Sequence, residues 1–206
     1  MNIALAILVF LGAYLLGNLS PSTLIARSRG IDIKKAGSGN AGTTNALRVL
    51  GKKAAIETLL IDIGKGVLAV VVAHLLLPEE LAMWSALAVF VGHVWPVLLK
   101  FQGGKGVATG FGALLAEDWQ IALICLFLFV AIVAVTRMVS LGSSVAAVAL
   151  LIGCWFWRPD FFWTVLIMVA IMLLKHRSNM VRLIQGKENK LSFAGGEAKE
   201  KEHPHG

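Results

Sequence analysis

Charge is scarce in this chain. Of 206 residues, 15% are charged and 57% are hydrophobic, with a mean hydropathy of +0.78; that balance excludes an ordinary soluble domain and places the chain among polytopic membrane proteins. Cysteine is scarcer still. Cys125 and Cys154 both lie in apolar stretches without CxxC or metal-ligand spacing, so packed thiols are expected and no disulfide, redox chemistry, metal or cofactor is indicated. Acidic residues are outnumbered 12 to 19, for a net charge of +7. The excess cations sit at the ends of apolar segments and form no stripe, which argues against nucleic acid and for topology and anionic-lipid contact.

A bilayer core of roughly 30 Å needs about 20 apolar residues per helix. The candidate segments are 2–26, 54–77, 81–99, 106–116, 119–136, 140–156 and 161–174. The sequence thus predicts an all-α, polytopic bundle of about seven transmembrane segments. The short one, 106–116, is either a span or a re-entrant half-helix covered by protein. With the N-terminus outside and the C-terminus cytoplasmic, the inside segments hold 15 basic residues and the outside turns only Arg158, as the distribution of Lys and Arg across membranes requires. The first segment has no basic n-region and is followed by Arg27 and Arg29, so it is expected as an uncleaved anchor. One domain is expected over 1–191, and a disordered, charged, glycine-rich tail over 192–206.

Glycine-laced polar residues gather in three islands, all on the side assigned to the cytoplasm. The first, SGNAGTTNALR from Ser38 to Arg48, lies in a connection of about 25 residues, long enough to be functional. It superficially matches a phosphate loop but has Thr43 where the lysine belongs, and no strand precedes it, so an NTPase is not indicated. Its glycines can turn backbone N–H groups toward an anion, Asn40, Thr43 and Asn45 add neutral donors beside Ser38, and Arg48 adds charge. The second island runs through His93 and Pro96 to Gly103, Gly104, Lys105 and Gly106 at a helix start, a favourable anion site. His93 is either a packed core histidine or part of that site. In the third island, His176 and Asn179 share a helix face at i, i+3, with Arg177 and Arg182 beside them.

Within the apolar segments, Asp62 and Lys65 at i, i+3 are expected to pair, since unpaired charges are costly in lipid. Their role is either structural or functional. Ser140, Ser143 and Ser144 lie on one turn, where hydroxyls bind substrate or mediate helix packing. Glu188 is expected to pair with a cation structurally. A phosphate transporter would need polar islands at depth and access from both sides, and a channel would need polar residues recurring along several helices. Neither pattern is present.

SGNAGTTNALR, GHVWPVLLKFQGGKGVAT and HRSNMVRLIQGKE resemble, in order, the three motifs of the bacterial integral-membrane acylphosphate:glycerol-3-phosphate acyltransferases. YLLGNLSPS and LIDIGKG are similar to further segments of that family, so the resemblance covers roughly residues 1–190. It implies acyl transfer from acyl phosphate to the 1-hydroxyl of glycerol 3-phosphate at the bacterial inner membrane, giving lysophosphatidate and phosphate. It further implies that Ser38 and Arg48 are essential, that Gly103, Gly104 and Gly106 with Lys105 bind acyl phosphate, and that His176, Asn179 and Glu188 complete the site. The expected partners are the lipid bilayer and the two substrates, with no obligate protein. The His-x-x-x-x-Asp pair of other glycerol-3-phosphate acyltransferases is absent.

An acyl phosphate is already activated, so such a site must chiefly hold two phosphorylated substrates and neutralise them. Arg48, Lys105 and Arg177 are the candidate cations, and Ser38, Asn45 and Ser143 the candidate hydrogen-bonding groups. The hydroxyl proton goes either to His176 or to the donor's own phosphate, the second being favoured because covalent geometry holds that phosphate near the carbonyl.

Overall fold

The computed structural model describes residues 2–191 of the chain; the tail expected over 192–206 lies outside them. The described residues contain helices and no strand. Helices long and apolar enough to cross a membrane are α4 (Lys52–Leu76), α8 (Trp119–Thr136) and α9 (Val139–Trp157), with a fourth span, Glu79–Leu99, built from α5 (Glu79–Ala82), α6 (Trp84–Val94) and a 3-10 turn. Two bent pairs raise the count to six: α1 (Ile3–Gly17) with α2 (Pro21–Ser28), and α10 (Phe162–Lys175) with α11 (Arg177–Ile184). With the short α7 (Val107–Glu117), this gives the seven segments expected, and the short one is where expected.

The first segment is not the single helix the hydropathy suggests. It bends by 42° at 18–20, because Pro21 at the start of α2 has no N–H to continue the ladder. The freed carbonyls are satisfied from elsewhere: Lys65 Nζ donates to Gly17 and Leu19 at 3.1 and 2.6 Å. Asn18 and Tyr14 stitch the break to the second island, accepting from the backbone N–H groups of Leu98 and Val97.

Small residues let the helices approach. A Cβ on Gly17 or Gly92 would strike the facing backbone of α6 or α1, and one on Gly66 or Gly112 the facing backbone of α7 or α4, the close packing expected of membrane helices. At 11 residues, α7 is about 16 Å long, too short for a bilayer. Its middle, at Thr109, Gly112 and Ala113, packs against Gly66 part-way along α4. The loop before it is therefore drawn into the bundle and covered by protein, as non-helical backbone at membrane depth must be. At the far end, Arg158 binds Asp160 and the Glu117 carbonyl, tying the start of α10 to the end of α7.

Candidate active site

All three islands meet at one end of the bundle around a cavity of about 520 Å³. Its polar pole is lined by Ser38, Asn40, Thr43, Arg48, Lys105 and Asn179, and its apolar pole by Phe111, Leu114, Phe129, Leu150 and Met168 from α7, α8, α9 and α10. A ligand with a charged head and a hydrocarbon tail fits that division.

In the first island the chain turns into α3 (Thr43–Leu50), whose N-terminus is aimed at the cavity. Thr43 Oγ1 is buried there with no hydrogen-bond partner among the described residues. Unsatisfied amides and the helix dipole favour an anion at this point. Asn45, by contrast, is fully engaged in holding the turn. Its Oδ1 accepts from the Ser38 N–H at 2.8 Å, and its Nδ2 donates to the carbonyls of Ile33 and Ala36. Buried and absent from the cavity wall, it is placed as the loop's internal support and is not brought together with the groups that line the cavity. Burial and neighbouring Arg182 lower the pKa of Arg48, with Glu188 acting in the opposite direction.

The second island supplies a second helix N-terminus, that of α7. Gly106 caps it at φ 84°, where a side chain would be strained and would also meet the Phe90 ring. Gly104 has no such dihedral; it is needed because His93 and the Ala41 carbonyl leave no room for a Cβ. The loop is held from below by Gly104 N–H donating to the His93 carbonyl at 3.1 Å, and from above by Lys34 Nζ donating to Gly103 O at 2.8 Å. Lys105 projects between the helix ends. Burial first, then repulsion from Arg182, Arg48 and Lys175, lowers its pKa from 10.5 to about 8 against the pull of Glu188.

In the third island the chain bends by 59° at His176, and Glu188, buried, becomes the hub. It accepts from Ser140 Oγ at 2.9 Å, Asn179 Nδ2 at 2.6 Å and Arg182 Nε at 2.9 Å. Burial raises its pKa, but these hydrogen bonds prevail and hold it below the usual carboxylate range. With its amide on a carboxylate, Asn179 turns its carbonyl to Lys105, which donates to it; an ammonium can only donate and a carboxylate only accept, so this orientation is chemically forced. Asn179 thus positions Lys105. His176, past the end of the α10 span, must place its proton on Nδ1, 2.9 Å from the Met172 carbonyl. Its Nε2 lone pair then faces Ser143 Oγ at 3.4 Å. Burial and Lys105 lower its pKa from 6.5 to about 4.

Most sequence-derived residues therefore converge on one cavity; Asn45, Lys65, Gly103, Gly104 and Arg177 do not line it, Gly103 facing an adjoining opening beside Lys34 and Ser38. Asn45 is the loop's internal tie. Arg177 is exposed and absent from the cavity wall, while Arg182 lines it; on a helix of 3.6 residues per turn, Arg182 lies at i, i+3 from Asn179 and Arg177 points away. Lys34 was not singled out by sequence reasoning, since its contact with Gly103 spans 69 residues. Asp62 and Lys65 do pair, at 2.8 Å, and His93 joins them. Among the described residues no group of three His, Cys, Asp or Glu could hold a metal.

Comparison with known proteins agrees with this geometry. The family model described as glycerol-3-phosphate acyltransferase matches residues 7–186. A glycerol-3-phosphate acyltransferase of Thermoanaerobacter sp. (strain X514) is 42% identical over 90% of this chain and 96% of its own length. One from Clostridioides difficile (strain 630) is 43% identical over 93% and 98%. The crystal structure of PlsY, an integral membrane glycerol 3-phosphate acyltransferase, superposes in its glycerol 3-phosphate form with a TM-score of 0.86 at 31% identity, covering 91% of this chain and 96% of that one. Its lysophosphatidic acid form gives 0.83, covering 91% and 95%. On motif, fold and cavity alike, the chain belongs to the glycerol-3-phosphate acyltransferase family of integral membrane proteins.

Proposed function

We propose that the chain transfers a fatty acyl group from an acyl phosphate to the 1-hydroxyl of sn-glycerol 3-phosphate, giving lysophosphatidate and inorganic phosphate. The observation that carries this reading is the two-pole cavity, where the N-termini of α3 and α7 and the cations Arg48, Lys105 and Arg182 sit beside an apolar chamber. Two anionic heads match two helix ends, and one acyl chain matches the chamber. The purified protein in detergent should convert palmitoyl phosphate and glycerol 3-phosphate into lysophosphatidate. No product from folded protein would remove the reading.

In the reaction the 1-hydroxyl oxygen attacks the acyl carbonyl, the bond from acyl carbon to phosphate oxygen breaks, and the hydroxyl proton passes to the departing phosphate. The protein holds both anions in register and neutralises them. A histidine with a pKa of about 4 is a poor proton acceptor at neutral pH, which supports the donor phosphate as acceptor and His176 as a hydrogen-bonding partner. Accordingly, any inflection of kcat/KM near pH 6 should follow the second ionisation of the phosphorylated substrates, about 6 for a phosphate monoester, and should survive substitution of His176, which is already neutral above about pH 4. His176→Gln should keep activity within roughly tenfold, whereas loss of a general base costs about 10²- to 10⁴-fold. A folded, substrate-binding but inactive Gln variant would return the proton to His176.

The site end is assigned to the cytoplasm of a bacterial inner membrane, with the N-terminus outside. The asymmetry of 15 basic residues to one supports this. Both native cysteines are buried, so introduced thiols can be read cleanly. In intact cells an impermeant maleimide should label Glu80→Cys and miss Lys35→Cys and Lys187→Cys; the reverse pattern would invert the orientation.

A further inference from the structure

Asp62, Lys65 and His93 form a buried group beneath the glycine loop, and none of the steps above uses them. Lys65 Nζ lies 2.8 Å from Asp62 Oδ1 and 2.8 Å from His93 Nδ1, besides its bonds to the Gly17 and Leu19 carbonyls. An ammonium has only protons to offer. Its three protons are directed at the Gly17 and Leu19 carbonyls and at Nδ1 of His93, leaving Asp62 Oδ1 an ion-pair partner without a hydrogen bond; in this arrangement Nδ1 accepts, and the neutral ring carries its proton on Nε2. The opposite tautomer would set an N–H against the ammonium, with Asp62 Oδ1 at 3.4 Å as its acceptor.

That Nε2–H has no hydrogen-bond partner among the described residues, although His93 is only 6% exposed. Its surroundings are specific. Nε2 stands against Gly104, where a Cβ would collide with it, and both His93 and Asp62 line the cavity. Nε2 is not among the polar atoms sealed off without a partner; the cavity reaches it, so a ligand in the cavity can accept from it. The ligands expected here carry anionic oxygens.

We propose that His93 is a substrate-contacting donor, its Nε2–H directed at a substrate oxygen in the cavity that His93 lines with Lys105 and Gly106, and that Asp62 and Lys65 are positioning residues that fix its tautomer. The proposal rests on the cavity being the acyl-transfer site. The oxygen belongs either to the acyl phosphate or to the phosphate of glycerol 3-phosphate, and these are separable by experiment.

The test is nitrogen-15 NMR of histidine-labelled protein in detergent, with His93 assigned by its loss in His93→Gln. The expected spectrum has a protonated Nε2 and an unprotonated, hydrogen-bonded Nδ1. The Nε2–H signal should move on adding either glycerol 3-phosphate or a non-hydrolysable acyl phosphonate, and the ligand that moves it identifies the oxygen. An Nδ1–H tautomer, or a signal that moves with neither ligand, would overturn the proposal. Kinetically, His93→Gln keeps both an acceptor for Lys65 and a donor for substrate, and should stay within roughly tenfold of wild type. His93→Leu should lose about 100-fold in kcat/KM, chiefly for the contacted substrate; equal activity of the Gln and Leu variants would reduce His93 to packing and overturn it. If His93→Leu does not fold, the wild-type spectrum still decides. Absence of wild-type turnover would count against the acyl-transfer reading alone, since the tautomer is measured without turnover.

Discussion

Lys105→Met is expected to lower turnover about 10²- to 10³-fold, the range typical of removing one preorganised donor from a developing charge. Lys105 stands between the N-termini of α3 and α7, and Glu188 holds it there through Asn179. Methionine keeps much of the side chain's length and removes the charge, so the loss reads the ammonium itself. The pH dependence has a definite sign. With a pKa near 8, the charge is complete below that value and is lost as pH rises through it, so kcat/KM should fall above about pH 8. Lys34 has a similarly lowered pKa, also about 8, which makes a second variant necessary. Lys105→Arg should retain part of the activity and shift the alkaline decline upward; an unchanged decline would assign it to Lys34.

Arg48→Lys is expected to cost about 10- to 100-fold in kcat/KM while the protein stays folded. Arg48 has no side-chain hydrogen bond within the described residues, yet it lines the polar pole one turn along α3 from Thr43 and Thr44. A guanidinium free of protein partners in an anion site offers its planar fork to a phosphate, and lysine presents a point charge instead. Thermal stability should change little, since no side-chain hydrogen bond among the described residues is lost and the charge is kept. Near-normal turnover in the Lys variant would leave Arg48 as a topology anchor only.

The helical bundle and the clustering of the islands were legible because hydropathy sets spans and basic residues set sides. Chemistry then falls on one face by default. Where placement departs from expectation the origin is physical: sequence reveals which side chains are able to bind an anion, while packing decides which face the cavity. Asn45 has the right chemistry, but three backbone groups of its own turn consume it. Arg177 and Arg182 are equivalent in composition, and only the bend at His176 with the register of α11 separates them. The break after Gly17 was signalled by Pro21, but the apolar residues on both sides concealed it. Lys34 and the Lys65–His93 contact join residues far apart in sequence, where local spacing carries no information.

The central claim is that a compact cradle of two helix ends and a glycine loop accepts a phosphate anhydride as acyl donor. The most direct measurement is a competition between donors. Purified protein is given glycerol 3-phosphate with either palmitoyl phosphate or palmitoyl-coenzyme A at equal concentration, and lysophosphatidate is quantified. The account predicts steady product from the acyl phosphate and none above background from the thioester; equal rates with the two donors would contradict it.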